Sequence, residues 1–215
     1  MTTRLVVACF GDLGSLTAIT VAKQRAATDV VAVAFDLGAG ESLGGMKEAA
    51  LAAGATRCHA LDVREEFARE VILPAARDAG TAGANQNRTF ATLAAAFVDR
   101  ALQSIAALEE GRAMLPVAIP SNRGVEVRGQ TLAPARLGIG FESGVPVAIN
   151  GIHMTLTELL ESIETISGRS ALEILSAAYR GLGSAARRLE GRESTEVTFE
   201  IGEGCCTIAT AAAVR

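Results

Sequence analysis

The sequence predicts an α/β fold: a Rossmann-like parallel sheet followed by a small α+β unit. Three observations carry that expectation. Short apolar runs alternate with helical stretches as far as residue 119, which calls for crossover connections and a parallel sheet. Beyond residue 136 the alternation stops and hairpin signals replace it. The composition, 49% hydrophobic with only 4% aromatic residues, favours helices packed closely on a sheet.

The elements follow in order. A buried strand over 4–10 runs into a loop carrying Gly11 and Gly14, and Ser15 is placed to cap a helix over 15–27. Backbone amides at such a helix start can hold an anion, although a tight turn with an N-cap serine has the same appearance. Next come a strand at 30–35, a helix at 43–53, a strand at 57–62, helices at 64–79 and 89–110, and a strand at 113–119. Helical spacing predicts that Phe97, Ala101, Ile105 and Leu108 face inward. Ligands of parallel sheets gather at the carboxyl edge, where Phe10, Asp36 and Asp62 are expected to emerge.

The second unit reads differently. Leu137–Phe141 and Val145–Asn150 flank Glu142-Ser143-Gly144, a hairpin signal, and Thr155 with Glu158 forms a capping box before an amphipathic helix. A further helix is expected from about 170 to 189, then strands at 195–201 and 205–210 joined by Gly-Glu-Gly. The expected organisation is therefore a domain at 1–119, a linker at 120–136 and a four-strand, two-helix unit at 137–215. Exposed strand edges need covering, so a homodimer or larger homo-oligomer is expected.

Net charge −4 and the lack of a basic arm or aromatic platform argue against nucleic acid as a partner. No apolar run reaches membrane-spanning length, and Met1-Thr-Thr-Arg4 leads directly into a core strand rather than a signal peptide, so no membrane partner and a cytoplasmic location are expected. Cys9, Cys58, Cys205 and Cys206 are scattered and read as small buried hydrophobes rather than redox or metal groups. No zinc ligand set is visible. His59, which ends or interrupts a core strand, and His153 are the only histidines, each a candidate acid or base without an evident partner.

Leu5-Val-Val-Ala-Cys-Phe-Gly-Asp-Leu-Gly-Ser-Leu16, then Asp36-Leu-Gly38, then Asp62 with Arg64-Glu-Glu-Phe67 and Pro74, fall in an order that resembles argininosuccinate synthase, of the ATP-pyrophosphatase (PP-loop) group. Gly140-Phe-Glu-Ser-Gly-Val-Pro-Val-Ala-Ile-Asn-Gly151, followed by Leu156-Thr-Glu-Leu-Leu160, is similar to the hairpin and helix that open that family's second domain. The resemblance implies an adenine nucleotide α-hydrolase-like first domain and a carbon–nitrogen ligase ancestry. The family protein is much longer than this chain.

Laid on the family's S-G-G-L-D-T-S loop, the chain reads Phe10-Gly11-Asp12-Leu13-Gly14-Ser15-Leu16. A carboxylate at Asp12, inside a loop that surrounds pyrophosphate, repels that ligand by several kcal/mol where water is excluded. The expectation is thus no cofactor, with ATP as the alternative. The family's substrate segments fall on Asn87–Thr92 and 120–130, so the resemblance implies substrate contacts at Arg88, Thr92, Asn122, Arg123 and Arg128. Arginine's planar fork suits a carboxylate. Catalytic residues are not identified. Three readings follow: an ATP-independent enzyme of specialised metabolism acting on a carboxylate-bearing small molecule, a non-catalytic pseudoenzyme that binds a metabolite or protein, and a ligase of the family type.

Overall fold

The computed structural model describes residues 4–26, 29–38, 42–81, 90–116, 135–186, 194–202 and 205–214. The chain divides into two compact units: one holds the described residues of Met1–Phe67 and Arg88–Arg123, the other those of Ala68–Asn87 and Gly124–Arg215.

In the first unit, strands β1 (Leu5–Cys9), β2 (Val30–Asp36), β3 (Arg57–Asp62) and β4 (Arg112–Met114) form a parallel sheet in the order β3-β2-β1-β4. The two central strands are buried on both faces, and their sequences are accordingly near-continuous runs of Val and Ala. Helices α1 (Leu13–Ala26) and α2 (Leu43–Ala52) cover one face, where Val7, Cys9, Val30 and Ala32 of the sheet meet Ile19, Ala22, Ala50 and Ala55. Alanine at the contact points is what brings the helices close to the strands.

After β3 the chain makes a short helix α3 (Arg64–Phe67), a π-helical turn over Ala68–Ile72, and helix α4 (Leu73–Thr81). The helix expected unbroken over 64–79 is therefore interrupted, and Pro74 supplies the reason. It has no N–H to give the Glu70 carbonyl four residues back, and its ring crowds that carbonyl, so the ladder widens just before it.

Helix α5 (Phe90–Leu108) packs on β1 and β4. Its buried stripe is Ala94, Phe97, Val98, Leu102 and Ala106, with Phe97 meeting Phe67 edge-on at 5.3 Å between ring centroids. The expected inward face is corrected at its end: Ala101 and Ile105 flank the stripe and are half-buried, and Leu108 is 85% exposed. The stripe drifts round a 3.6-residue helix, so Ala106 rather than Leu108 meets the sheet.

The second unit contains an antiparallel sheet in the order β7-β6-β5-β8-β9, formed by β5 (Ala135–Glu142), β6 (Val145–Ile149), β7 (Ile152–His153), β8 (Ser194–Gly202) and β9 (Cys205–Val214). Among the described residues five strands stand where four were expected. The β5–β6 turn places Ser143 at φ 51° and Gly144 at φ 76°, and the β6–β7 turn places Asn150 at φ 50° and Gly151 at φ 79°. Both pairs are left-handed, as two-residue hairpin turns require. Leu137, Ile139 and Phe141 of β5 and Val197, Phe199 and Ile201 of β8 share one buried face. Helices α6 (Leu156–Ser167) and α7 (Ala171–Ala186) pack on this sheet and bury Leu159, Leu160, Ile163, Ile174 and Leu175.

Helix α4 packs against α7 within the same unit. A β-carbon at Gly80 would lie 2.5 Å from Cβ of Tyr179 and 3.0 Å from the Ser176 carbonyl, so the two backbones approach as closely as glycine alone permits.

Candidate functional site

The loop leaving β1 turns on Gly11, at φ 77°, and delivers Asp12 to the start of α1. The Asp12 carboxylate accepts hydrogen bonds from the backbone N–H of Gly14 at 3.2 Å and of Ser15 at 3.2 Å, and the Asp12 carbonyl accepts from Leu16 N–H at 3.1 Å. Asp12 therefore caps the helix. The capping role expected of Ser15 is corrected: α1 begins two residues earlier, and Ser15 lies fully buried inside its first turn. There the Ser15 hydroxyl accepts from Phe10 N–H at 3.1 Å and donates to the Asp12 carbonyl at 3.1 Å. An aspartate preceding a helix wins the cap because its two oxygens reach the second and third amides together.

These contacts determine what the loop can do. The Gly14 and Ser15 amides are the donors that an anion at this helix start would use, and the chain's own carboxylate is on both. Phe10 is buried at 7% exposure and tilts against Phe35 with 6.3 Å between centroids.

Two further acidic residues stand at the carboxyl ends of β2 and β3. Asp36 accepts from Gly38 N–H at 2.7 Å, in a turn where Gly38 has φ 88°. Arg64, on the first turn of α3, holds Asp62 with both prongs of its guanidinium, Nε at 2.9 Å and Nη2 at 2.8 Å, and its Nε lies 3.5 Å from Asp36 Oδ2. The Arg64 guanidinium holds the Asp62 carboxyl below its ordinary range. Among the described residues the carboxyl edge thus carries Asp12, Asp36 and Asp62, each bound to a donor of the chain itself.

The opposite edge of the sheet carries the cluster that the sequence did not reveal. Glu109, just past α5, receives Arg57 and, at 2.7 Å, His59 Nε2; Arg4 gives Nη1 to its backbone carbonyl at 2.6 Å and Nε to Asp29 at 2.8 Å. His59 accordingly has a partner, and it is half-exposed on an edge strand rather than in the core. Its partner lies 50 residues away, and no sequence spacing signals such a pair. His153 is exposed, 4.0 Å from Glu142. Cys9 is buried, and burial pushes the half-buried Cys58 thiol up. Among the described residues no group of three or more His, Cys, Asp or Glu side chains is placed to hold a metal ion, and no helix is long and apolar enough to cross a membrane.

Residues 4–115, more than half of the chain, match the family model described as "Arginosuccinate synthase N-terminal HUP domain". The chain belongs to the argininosuccinate synthase family. Two relatives named argininosuccinate synthase, from Streptococcus suis strains 05ZYH33 and 98HAH33, are each 42% identical to it over 72 residues. Each match covers 34% of this chain and 18% of the relative, so less than a fifth of those synthases' length is represented.

Of the substrate-contact positions that the synthase resemblance implies, Thr92 lies on α5, with its side chain outside the described residues. Arg88, Asn122, Arg123 and Arg128 also lie outside them, as does the side chain of Cys205. The structure brings together Phe10, Gly11 and Asp12 of the β1–α1 loop with Gly14 and Ser15 of the first turn of α1, and pairs Asp36 with Arg64. What the sequence reading missed there is that Asp12 caps the helix. The signal was available, since an aspartate directly before the first apolar residue of a helical stretch, here Asp12 before Leu13, is a capping pattern.

Proposed function

We propose that this argininosuccinate-synthase-family protein acts on a carboxylate-bearing small molecule without holding ATP in its first βα loop. One observation carries the reading: the Asp12 carboxylate sits on the Gly14 and Ser15 amides, where a pyrophosphate would otherwise be held. An incoming phosphate must displace that carboxylate and then bear its repulsion. In this reading the loop's degenerate positions, Phe10, Asp12 and Gly14, turn a phosphate cradle into a self-capped, apolar-walled turn. Arg88, Thr92, Asn122, Arg123 and Arg128 anchor the substrate carboxylate. The family match itself favours a second reading, an ATP-dependent ligase with a different nucleotide pose.

Calorimetric titration of ATP with magnesium separates the two. The wild-type protein should show no saturable binding in the micromolar range. Asp12→Gly frees both amides while costing the helix only a few tenths of a kcal/mol; paired with Phe10→Ser, it should strengthen ATP binding by about tenfold or more, ~1.4 kcal/mol. Micromolar affinity in the wild type, or pyrophosphate release with citrulline and aspartate, establishes the ligase reading instead. For the anchors, Arg88→Ala and Arg128→Ala should each weaken an anionic ligand by about 1.5–3 kcal/mol. Their melting temperatures should stay unchanged, since a drop assigns those arginines to the fold.

A further inference from the structure

Of the chain's four asparagines, Asn150 alone stands before a glycine; Asn85, Asn87 and Asn122 precede Gln86, Arg88 and Arg123. The fold sets Asn150 and Gly151 at the tip of the β6–β7 hairpin, where both are exposed and Ile149 pairs with Ile152 on either side. Oδ1 of Asn150 accepts from the Gly138 N–H at 2.7 Å, and the Asn150 N–H donates to the Gly138 carbonyl at 2.8 Å. Among the described residues nothing accepts from the side-chain Nδ2 or from the Gly151 N–H. A β-carbon at Gly151 would meet nothing within 4 Å, so the space beside that residue is open.

We propose that Asn150 is a site of spontaneous covalent modification, in which the Gly151 nitrogen closes on the asparagine side chain and leaves aspartate or isoaspartate. The nitrogen attacks Cγ of Asn150, its proton passes through water to Nδ2, and Nδ2 leaves as ammonia. The product is a five-membered succinimide. Water then adds to one of the two ring carbonyls and opens the ring. No other reactant enters. The attacking N–H and the departing amide are the two groups of the turn that no described acceptor holds, and glycine adds no side chain to crowd the ring. The hydrogen bond from Gly138 restrains the side chain, so the fold slows the reaction without removing it.

The product acts on the sheet. A Glu196 oxygen and Oδ1 of Asn150 lie 2.7 and 3.3 Å from the position a Gly138 β-carbon would take, so a carboxylate at 150 stands beside another over β5. Isoaspartate also adds a methylene to the main chain of a turn whose two residues are left-handed, at φ 50° and 79°. Both changes loosen the bonds to Gly138. The inference is independent of whether the first loop holds ATP.

The folded chain is held at mildly alkaline pH, then digested in acid at intervals and mapped by mass spectrometry. The peptide containing Asn150 should gain about one mass unit, the difference between an amide and an acid, before any gain at Asn85, Asn87 or Asn122. Two products of equal mass, aspartate and isoaspartate, should separate by chromatography. Asn150→Gln, whose longer side chain closes a six-membered ring instead, should lose the gain. Hydrogen exchange at Gly138 should quicken in the converted fraction. The chain unfolded in urea gives the reaction without the fold: conversion of Asn150 there but not in the folded chain overturns the proposal. Earlier conversion at any of the other three asparagines does the same, and unchanged exchange at Gly138 overturns the effect on the sheet.

Discussion

Glu109 gathers Arg57, His59 and Arg4, residues that precede or belong to β1 and β3, and it ties them to the end of α5. The carboxylate is only 12% exposed, so removing it leaves two arginines competing for water at a half-covered site. Glu109→Ala should lower stability by about 1–2 kcal/mol, measured by urea unfolding, more than the near-zero loss usual for a surface ion pair. Asp29 belongs to the same network, and the hydrogen bond from Arg4 lowers its pKa. A lowered carboxyl contributes stability that is present above the ordinary aspartate pKa of about 4 and is lost as pH falls through the lowered folded value. The stability gap between wild type and Asp29→Asn should therefore be open at neutral pH and close on the acid side. A gap that persists in acid assigns Asp29 a role other than its ion pair. Nothing local in the sequence marks Glu109, because its partners are brought by the sheet's register rather than by spacing along a helix or strand.

At the scale of elements, periodicity and turn chemistry made most of the fold legible. The buried Val and Ala runs of β1 and β2, the Thr155–Glu158 capping box and the Glu142–Gly144 hairpin follow directly from local rules, and the structure contains all of them. The misses have local causes too. Strand β7 has only two residues, too few for an alternation, although Asn150-Gly151 before it is a strong hairpin signal. The inward face of α5 was extended one turn too far. That correction is testable: Leu108→Lys should change stability by no more than about 0.5 kcal/mol, whereas Leu102→Ala, on the buried stripe, should cost about 2–5 kcal/mol. In α6 the Thr155 hydroxyl accepts from Glu158 N–H and Gly168 closes the helix at φ 62°. Thr155→Ala should cost about 1 kcal/mol, read as a fall in thermal midpoint.

At the scale of the whole molecule, sequence order and spatial grouping part company. Helix α4 lies in the sequence between α3 and α5 of the first unit, yet it groups with the second and packs on α7. No pattern in residues 73–81 announces this, since an amphipathic helix shows that one face is covered but not by what. The contact at Gly80 makes the grouping measurable. A methyl there must push against Tyr179 and the Ser176 carbonyl, so Gly80→Ala should destabilise by about 1–3 kcal/mol, as overpacking does. The loss should be confined to one cooperative unit, because stability in such a molecule is distributed in units rather than uniformly. Native-state hydrogen exchange of Gly80→Ala should show faster exchange at Ile174, Leu175, Val197 and Phe199, which belong to the second unit, while Val6, Val7, Ala32 and Val33 keep their protection. Val33→Ala, within the first sheet, should produce the reverse pattern. If Gly80→Ala accelerates the β1 and β2 amides as strongly as those of α7 and β8, the chain opens as one body and α4 belongs equally to both halves.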